Sequence, residues 1–263
     1  MRWFAALALA ILPTGGMACG ADTDCVVGDR SYRIAMPDTV ENPGAIVFSH
    51  GHRGSARGVM NNSGLRRLAA DMGYALIATD GVDGTWDLPG SPSNPSSDGA
   101  GELAYFEAVL NDAATQFGIN QDNIIATGFS AGGMMTWNLI CDRSNLLRAA
   151  VPMSGTFWED IPTTCDTPPI SVIHIHGDND PTVPLSGRAI RTSHQGDVPT
   201  ALGMYARHGG FGNAVSQQVG GLDCAVRDNA EDQTLGFCMF EGGHSFRLEH
   251  LRAAIEMVDK GRP

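Results

Sequence analysis

Ser130 sits in the run Ile124-Ile-Ala-Thr-Gly-Phe-Ser-Ala-Gly-Gly133, where an apolar segment ends in glycines two residues before and two residues after a serine. Glycine and serine are common, so this spacing alone is weak. Its context predicts a strand turning sharply into a helix, with the hydroxyl lifted above the sheet at a helix N-terminus. A serine hydroxyl is a poor nucleophile at neutral pH and needs a base, which in turn needs a carboxylate to orient it. Two later segments supply these in the order acid, then histidine. His176-Gly-Asp-Asn-Asp180-Pro-Thr-Val-Pro184 follows an apolar run ending at Ile175, and Glu241-Gly-Gly-His244 follows the strand-like run 235–240. Asp180 is the expected acid, Asp178 its alternative, and His244 the expected base. Alone, a loop aspartate reads as a turn former and a single histidine as structural; order and strand context together point to nucleophilic catalysis. Attack on a carbonyl also needs amide donors for the oxyanion. The amide of Ala131 is the expected first donor. The amide of His52, in Phe48-Ser-His50-Gly51-His52-Arg-Gly54, is the expected second, with His50 bracing the loop.

These groups must be held by rigid elements. Ala45-Ile-Val-Phe-Ser49, Ala75-Leu-Ile-Ala-Thr79, the run 124–128, Ala149-Ala-Val-Pro-Met153 and Ile170-Ser-Val-Ile-His-Ile175 are short apolar stretches suited to strands buried on both faces. Helical patterns lie between and after them at 64–72, 102–117, 132–141 and 246–258. The alternation predicts an α/β fold with a mostly parallel sheet, helices on both faces, and ligands at the carboxyl ends of the strands. The stretch 89–99, rich in Pro, Gly and Ser, reads as an exposed loop beside the site.

The chain has 263 residues and 43% apolar content, enough for one sizeable core. Lys and Arg number 17 against 29 Asp and Glu, for a net charge of −12. So acidic a surface repels phosphate backbones and argues against a nucleic-acid partner. Residues 1–18 carry Arg2, an apolar run from Trp3 to Leu12, then Pro13 and small residues. That is the layout of a secretory leader, too short to span a bilayer. Residues 19–263 are then expected to form a single exported, soluble domain, outside the cell or in the periplasm, without a stable membrane partner. Cys19 after small residues also allows a lipid anchor, although Gly16 stands where such sites usually carry leucine. Export makes six cysteines candidate disulfides, and nearness in sequence favours Cys19–Cys25, Cys141–Cys165 and Cys224–Cys238.

His50-Gly51, Gly128-Phe-Ser-Ala-Gly132-Gly-Met, Pro152-Met-Ser-Gly155, His176-Gly-x-x-Asp180-x-x-Val-Pro184 and Gly242-Gly-His244 together resemble the esterase group of α/β-hydrolases that holds polyhydroxybutyrate depolymerases, feruloyl esterases and acetylxylan esterases. The motifs span about residues 28 to 250. The resemblance implies an α/β-hydrolase fold with Ser130 as nucleophile, Asp180 as acid, His244 as base and the His52 and Ala131 amides as oxyanion hole. It implies ester hydrolysis without metal or organic cofactor, first on polyester or hydroxyalkanoate oligomers, alternatively on feruloyl or acetyl esters of plant cell-wall polysaccharide. Ser245-Phe246 replaces the Trp-Pro that often follows the histidine in this group. With no substrate-binding module after Pro263, oligomers and small esters are expected over crystalline polymer, and a monomer over an assembly.

Trp86, Phe129 and Trp158 lie in loops after strands or beside the nucleophile and are the expected substrate-binding aromatics, whereas Trp137 reads as core. Two other classes compete. His174-Ile-His176-Gly-Asp178 has the HxHxD spacing of metallo-β-lactamase-like zinc hydrolases, with Asn179 where another histidine is usual. A secreted binding module on a hydrolase scaffold is the non-enzymatic alternative.

Overall fold

Each apolar run becomes a buried strand, and the segments between them carry the helices, of which α4 is itself almost wholly buried. The computed structural model describes residues 19–259; the expected leader and Lys260 lie outside these. After a hairpin of β1 (Cys25–Val27) and β2 (Arg30–Ala35) come β3 (Gly44–Ser49), α1 (Ala56–Asn61), α2 (Ser63–Asp71), β4 (Tyr74–Thr79), α3 (Ala100–Phe117), β5 (Ile124–Phe129), α4 (Ala131–Asp142), β6 (Ala149–Met153) and β7 (Ser171–Gly177). A small hairpin of β8 (Ala189–Ile190) and β9 (Ser193–His194) leads into α5 (Val198–His208). Then follow β10 (Val215–Val219), β11 (Leu222–Asp228), β12 (Thr234–Phe240) and α6 (Leu248–Asp259).

The main sheet has ten strands in the order β1-β2-β4-β3-β5-β6-β7-β12-β11-β10. From β4 to β12 all neighbours pair in parallel, and the strands outside them pair antiparallel. Parallel strands need both faces covered. Side chains alternate accordingly: Ile124 and Ala126 enter a layer with Phe106, Val109, Trp137 and Tyr205 from α3, α4 and α5. Ile125 enters the opposite layer with Met60, Leu65, Leu251 and Ile255 from α1, α2 and α6. The expected strands and helices are all present within two or three residues. The hairpins β1–β2, β8–β9 and β10–β11 and helices α1 and α5 go beyond them.

Disulfides join Cys19 to Cys25, Cys141 to Cys165 and Cys224 to Cys238, the pairing that nearness in sequence favours. The Cys19 sulfur is thereby held by Cys25 and is not available for the thioether a lipid anchor requires. No helix among the described residues is long and apolar enough to cross a membrane.

Candidate active site

The site is built where β5 gives way to α4. Ser130 occupies the single turn residue between them, at φ 60° and ψ −121°, a backbone region that L-residues avoid and that persists only when its surroundings enforce it. Its amide donates to Met153 O at 2.9 Å and its carbonyl accepts from Met134 N at 3.0 Å. The flanking glycines are required by proximity. A Cβ on Gly132 would overlap the Ser49 carbonyl, and one on Gly128 would overlap Gly132 O. Helix α4 therefore starts hard against the end of β3, with Ser130 half-buried above the sheet.

The expected acid and base stand on the loops that follow β7 and β12. Asp180 is 6% exposed, and its Oδ1 accepts from the amides of Thr182 (2.8 Å) and Val183 (2.9 Å). Its Oδ2 accepts from His244 Nδ1 at 2.7 Å. Burial would raise the Asp180 pKa, but the bonds from the Val183 amide, His244 and the Thr182 amide outweigh it, so the carboxyl titrates below its ordinary range. With Nδ1–H turned to the carboxylate, Nε2 is the imidazole nitrogen left to accept a proton. The β7 and β12 loops are laced together: Gly242 N donates to Asp178 Oδ1 and Asn179 N to Gly242 O. Asp178, the alternative acid, is exposed and serves this lacing. The His244 ring lies 4.5 Å from that of Phe129, the residue before Ser130. No hydrogen bond joins Ser130 Oγ to His244 among the described residues, a contact that in ligand-free sites often tightens only with substrate bound.

The two expected oxyanion donors are unengaged: among the described residues, neither the His52 nor the Ala131 amide donates to a protein acceptor. Their loops touch, since a Cβ on Gly51 would lie 3.5 Å from Ser130 Cβ. His50 braces this loop. Its Nδ1–H donates to Gly51 O (2.8 Å), its Nε2 accepts from Gly81 N (2.9 Å), and Trp86 Nε1–H donates to His50 O (2.9 Å).

A cavity of about 280 Å³ opens beside Ser130 and Ala131. Trp86, Leu88, Met134, Trp158 and Val183 give it an apolar lining, and Ser91, Pro92 and Ser93 of the 89–99 loop also line it. Trp86 and Trp158 thus stand where expected. Phe129 does not. It lies on the Ile125 face of β5 and packs against Phe246 (6.2 Å between rings) and His244, lining a separate groove, because alternate residues of a strand point to opposite faces. Phe246 also meets Phe48 edge-on at 5.5 Å, so the residue following Ser245 closes this wall behind the histidine. Sequence reasoning missed Arg188, Ile190 and Arg191, which line the cavity from the β8–β9 hairpin. No glycine or asparagine marks that turn. Met134 was missed as well, although its place one helical turn beyond Ser130 is a signal that would have found it.

The HxHxD pattern is not a metal centre. Trp137 Nε1–H donates to His174 Nδ1 (3.1 Å), His174 Nε2–H to His176 Nδ1 (2.9 Å), and His176 Nε2–H to Val183 O (2.8 Å), so both buried rings spend all their nitrogens on protein partners. Burial pushes the His174 pKa well down, with the neighbouring His176 adding to it. Burial also lowers His176, although the bond to Val183 O and nearby Asp180 counteract it. No cluster of ligating side chains suited to a metal occurs among the described residues. Trp137 is core, as expected.

Residues 98–195 match the phospholipase/carboxylesterase family of α/β-hydrolases. An acetyl xylan esterase from Aspergillus awamori superposes with a TM-score of 0.62 at 16% identity, covering 82% of this chain and 89% of that one. The chain has the α/β-hydrolase fold. Feruloyl esterase C of Emericella nidulans is 27% identical to this chain over 232 residues, 83% of this chain and 77% of the other. NocK of Nocardia uniformis subsp. tsuyamanensis, named as a putative esterase, is 30% identical over 165 residues, a match that spans 60% of this chain and 47% of NocK.

Proposed function

We propose that this hydrolase is an exported serine esterase acting on feruloyl or acetyl esters of plant cell-wall polysaccharide. The observation that carries the catalytic part is the conjunction at one strand end: a strained, half-buried Ser130, a His244 imidazole oriented by a buried ionised Asp180, and two unengaged amides at His52 and Ala131. His244 Nε2 takes the Ser130 proton as Oγ adds to the ester carbonyl, and the oxyanion is held by the two amides. The imidazolium returns the proton to the leaving alcohol. Water, deprotonated by the same nitrogen, then cleaves the acyl-enzyme. Asp180 stays ionised throughout and stabilises the imidazolium.

The substrate class departs from the first expectation. Relatives named as feruloyl and acetyl xylan esterases favour the cell-wall reading over the polyhydroxybutyrate one. A cavity lined by Trp86, Trp158 and Met134 suits a flat aromatic acyl group. Three disulfides, a leader-like N-terminus and an acidic surface fit an extracellular location.

The test is product release by the mature protein from a feruloylated arabino-oligosaccharide, acetylated xylan and hydroxybutyrate oligomers in parallel. Ferulate or acetate release should dominate, and Ser130→Ala should lower turnover by roughly 10³-fold or more. Dominant hydroxybutyrate release would overturn the substrate reading; an active Ser130→Ala protein would overturn the mechanism.

A further inference from the structure

The catalytic cavity carries a charge opposite to that of its protein. Acids outnumber Lys and Arg by 29 to 17 along the chain. Yet no Asp or Glu lines the cavity, while Arg188 and Arg191 both do. Arg188 is fixed in place, its Nε donating to Thr182 O at 2.7 Å in the loop that carries Asp180. Arg191 is different. Among the described residues its guanidinium has neither a hydrogen-bond nor an ion-pair partner. It also holds the first place of the two-residue turn between β8 and β9, where Ile190 pairs with Ser193, at φ 55°. Such turns favour glycine or asparagine, and arginine there is strained. Strain in a cavity-lining residue points to function rather than to stability. Beside it Gln195, 3% exposed, also lines the cavity, with Oε1 left without a hydrogen-bond partner. The amide of Gln195 donates to Arg188 O at 2.9 Å, which ties these two together, and Arg191 completes this wall of the cavity.

We propose that this wall is a carboxylate subsite: Arg191, assisted by Arg188, selects esters that bear a free carboxylate beyond the scissile bond. A planar guanidinium matches a carboxylate bidentately, and a hydroxyl beside the carboxylate would satisfy Gln195 Oε1. The inference rests on the esterase reading of Ser130 and names what else its substrate carries. The carboxylate has two possible sources, a uronate in an esterified saccharide or the acid terminus of a hydroxyacid oligoester.

The experiment has a binding arm and a turnover arm. Binding uses Ser130→Ala protein and the tryptophan fluorescence of the cavity, with monophenyl glutarate as the anionic probe and its methyl ester as the neutral one. The anion should bind roughly ten- to a hundredfold more tightly. Added salt should erode the preference, and Arg191→Gln should bring the ratio near one. Arg191→Glu should instead favour an ester ending in a quaternary ammonium. Turnover compares feruloylated saccharides with and without a uronate, and hydroxybutyrate trimers with free and methylated carboxyl ends; the pair showing the larger ratio identifies the source. Equal binding of the two probes, or a preference that survives Arg191→Gln, overturns the subsite. Turnover of neutral esters without an anion preference sinks the subsite and leaves the esterase reading standing. Anion-selective binding with no ester turned over does the reverse.

Discussion

At the scale of single residues, Asp180 has two separable tasks. Its Oδ1 ties down the Thr182 and Val183 amides, and its Oδ2 orients His244. Asn in its place can still accept both amide protons, but its NH2 would face Nδ1 and force the proton onto Nε2, the wrong tautomer for a base. Asp180→Asn should therefore lose roughly 10⁴-fold in kcat/KM while the unfolding temperature falls only by what the ionised carboxylate contributes; ester kinetics beside thermal melts will check both halves. The order of serine, acid and histidine made the site legible, because each sits just after a strand whose apolar run is readable. Phe129 was misread for a reason that also lies at this scale. Adjacency to Ser130 in sequence says nothing about face, and alternation along β5 sends its ring toward Ile125 and away from the cavity.

At the scale of elements, the β5-to-α4 turn shows how packing enforces chemistry. The backbone of Gly132 lies so near Ser49 that any side chain would push α4 off β3, and with it the Ala131 amide. Gly132→Ala should destabilise the fold by about 3 kcal/mol or more, among the larger single-residue effects, and abolish activity even in the fraction that folds. Urea unfolding followed by tryptophan fluorescence, with ester turnover on the soluble fraction, measures both. This turn was legible because close approach demands glycine, a residue visible in sequence. The β8–β9 hairpin was not. Its strands have two residues each, and its turn carries Arg191 and Thr192 in place of the usual glycine or asparagine. Nor did β10 announce itself, for its Val-Ser-Gln-Gln-Val run is largely exposed at the sheet edge and has no apolar face to alternate.

At the scale of the whole molecule, the buried histidines link folding stability to pH. His174 and His176 sit under the sheet's carboxyl end, fully engaged as neutral rings, and burial also lowers the pKa of His250 against the Phe240 ring. Each has a folded-state pKa below its unfolded value. Above pH 6.5 neither state binds these protons, and the full contribution to stability is present. As pH falls below 6.5 the unfolded chain takes them up while the folded chain does not, so stability is lost until each folded pKa is reached. The slope in that window is about 1.4 kcal/mol per pH unit for each histidine that stays neutral in the fold. Asp180 acts in the same direction but lower, from the ordinary carboxyl range downward, since its folded pKa is depressed. Urea midpoints taken between pH 7.5 and 5 should fall steadily. His174→Gln can accept from Trp137 and donate to His176 without titrating, so its curve should be shallower over the same range. Matching slopes would mean that the Trp137–His174–His176 chain takes up protons in the folded state, and that the loop carrying Asp180, tied to it through Val183 O, is held by something else.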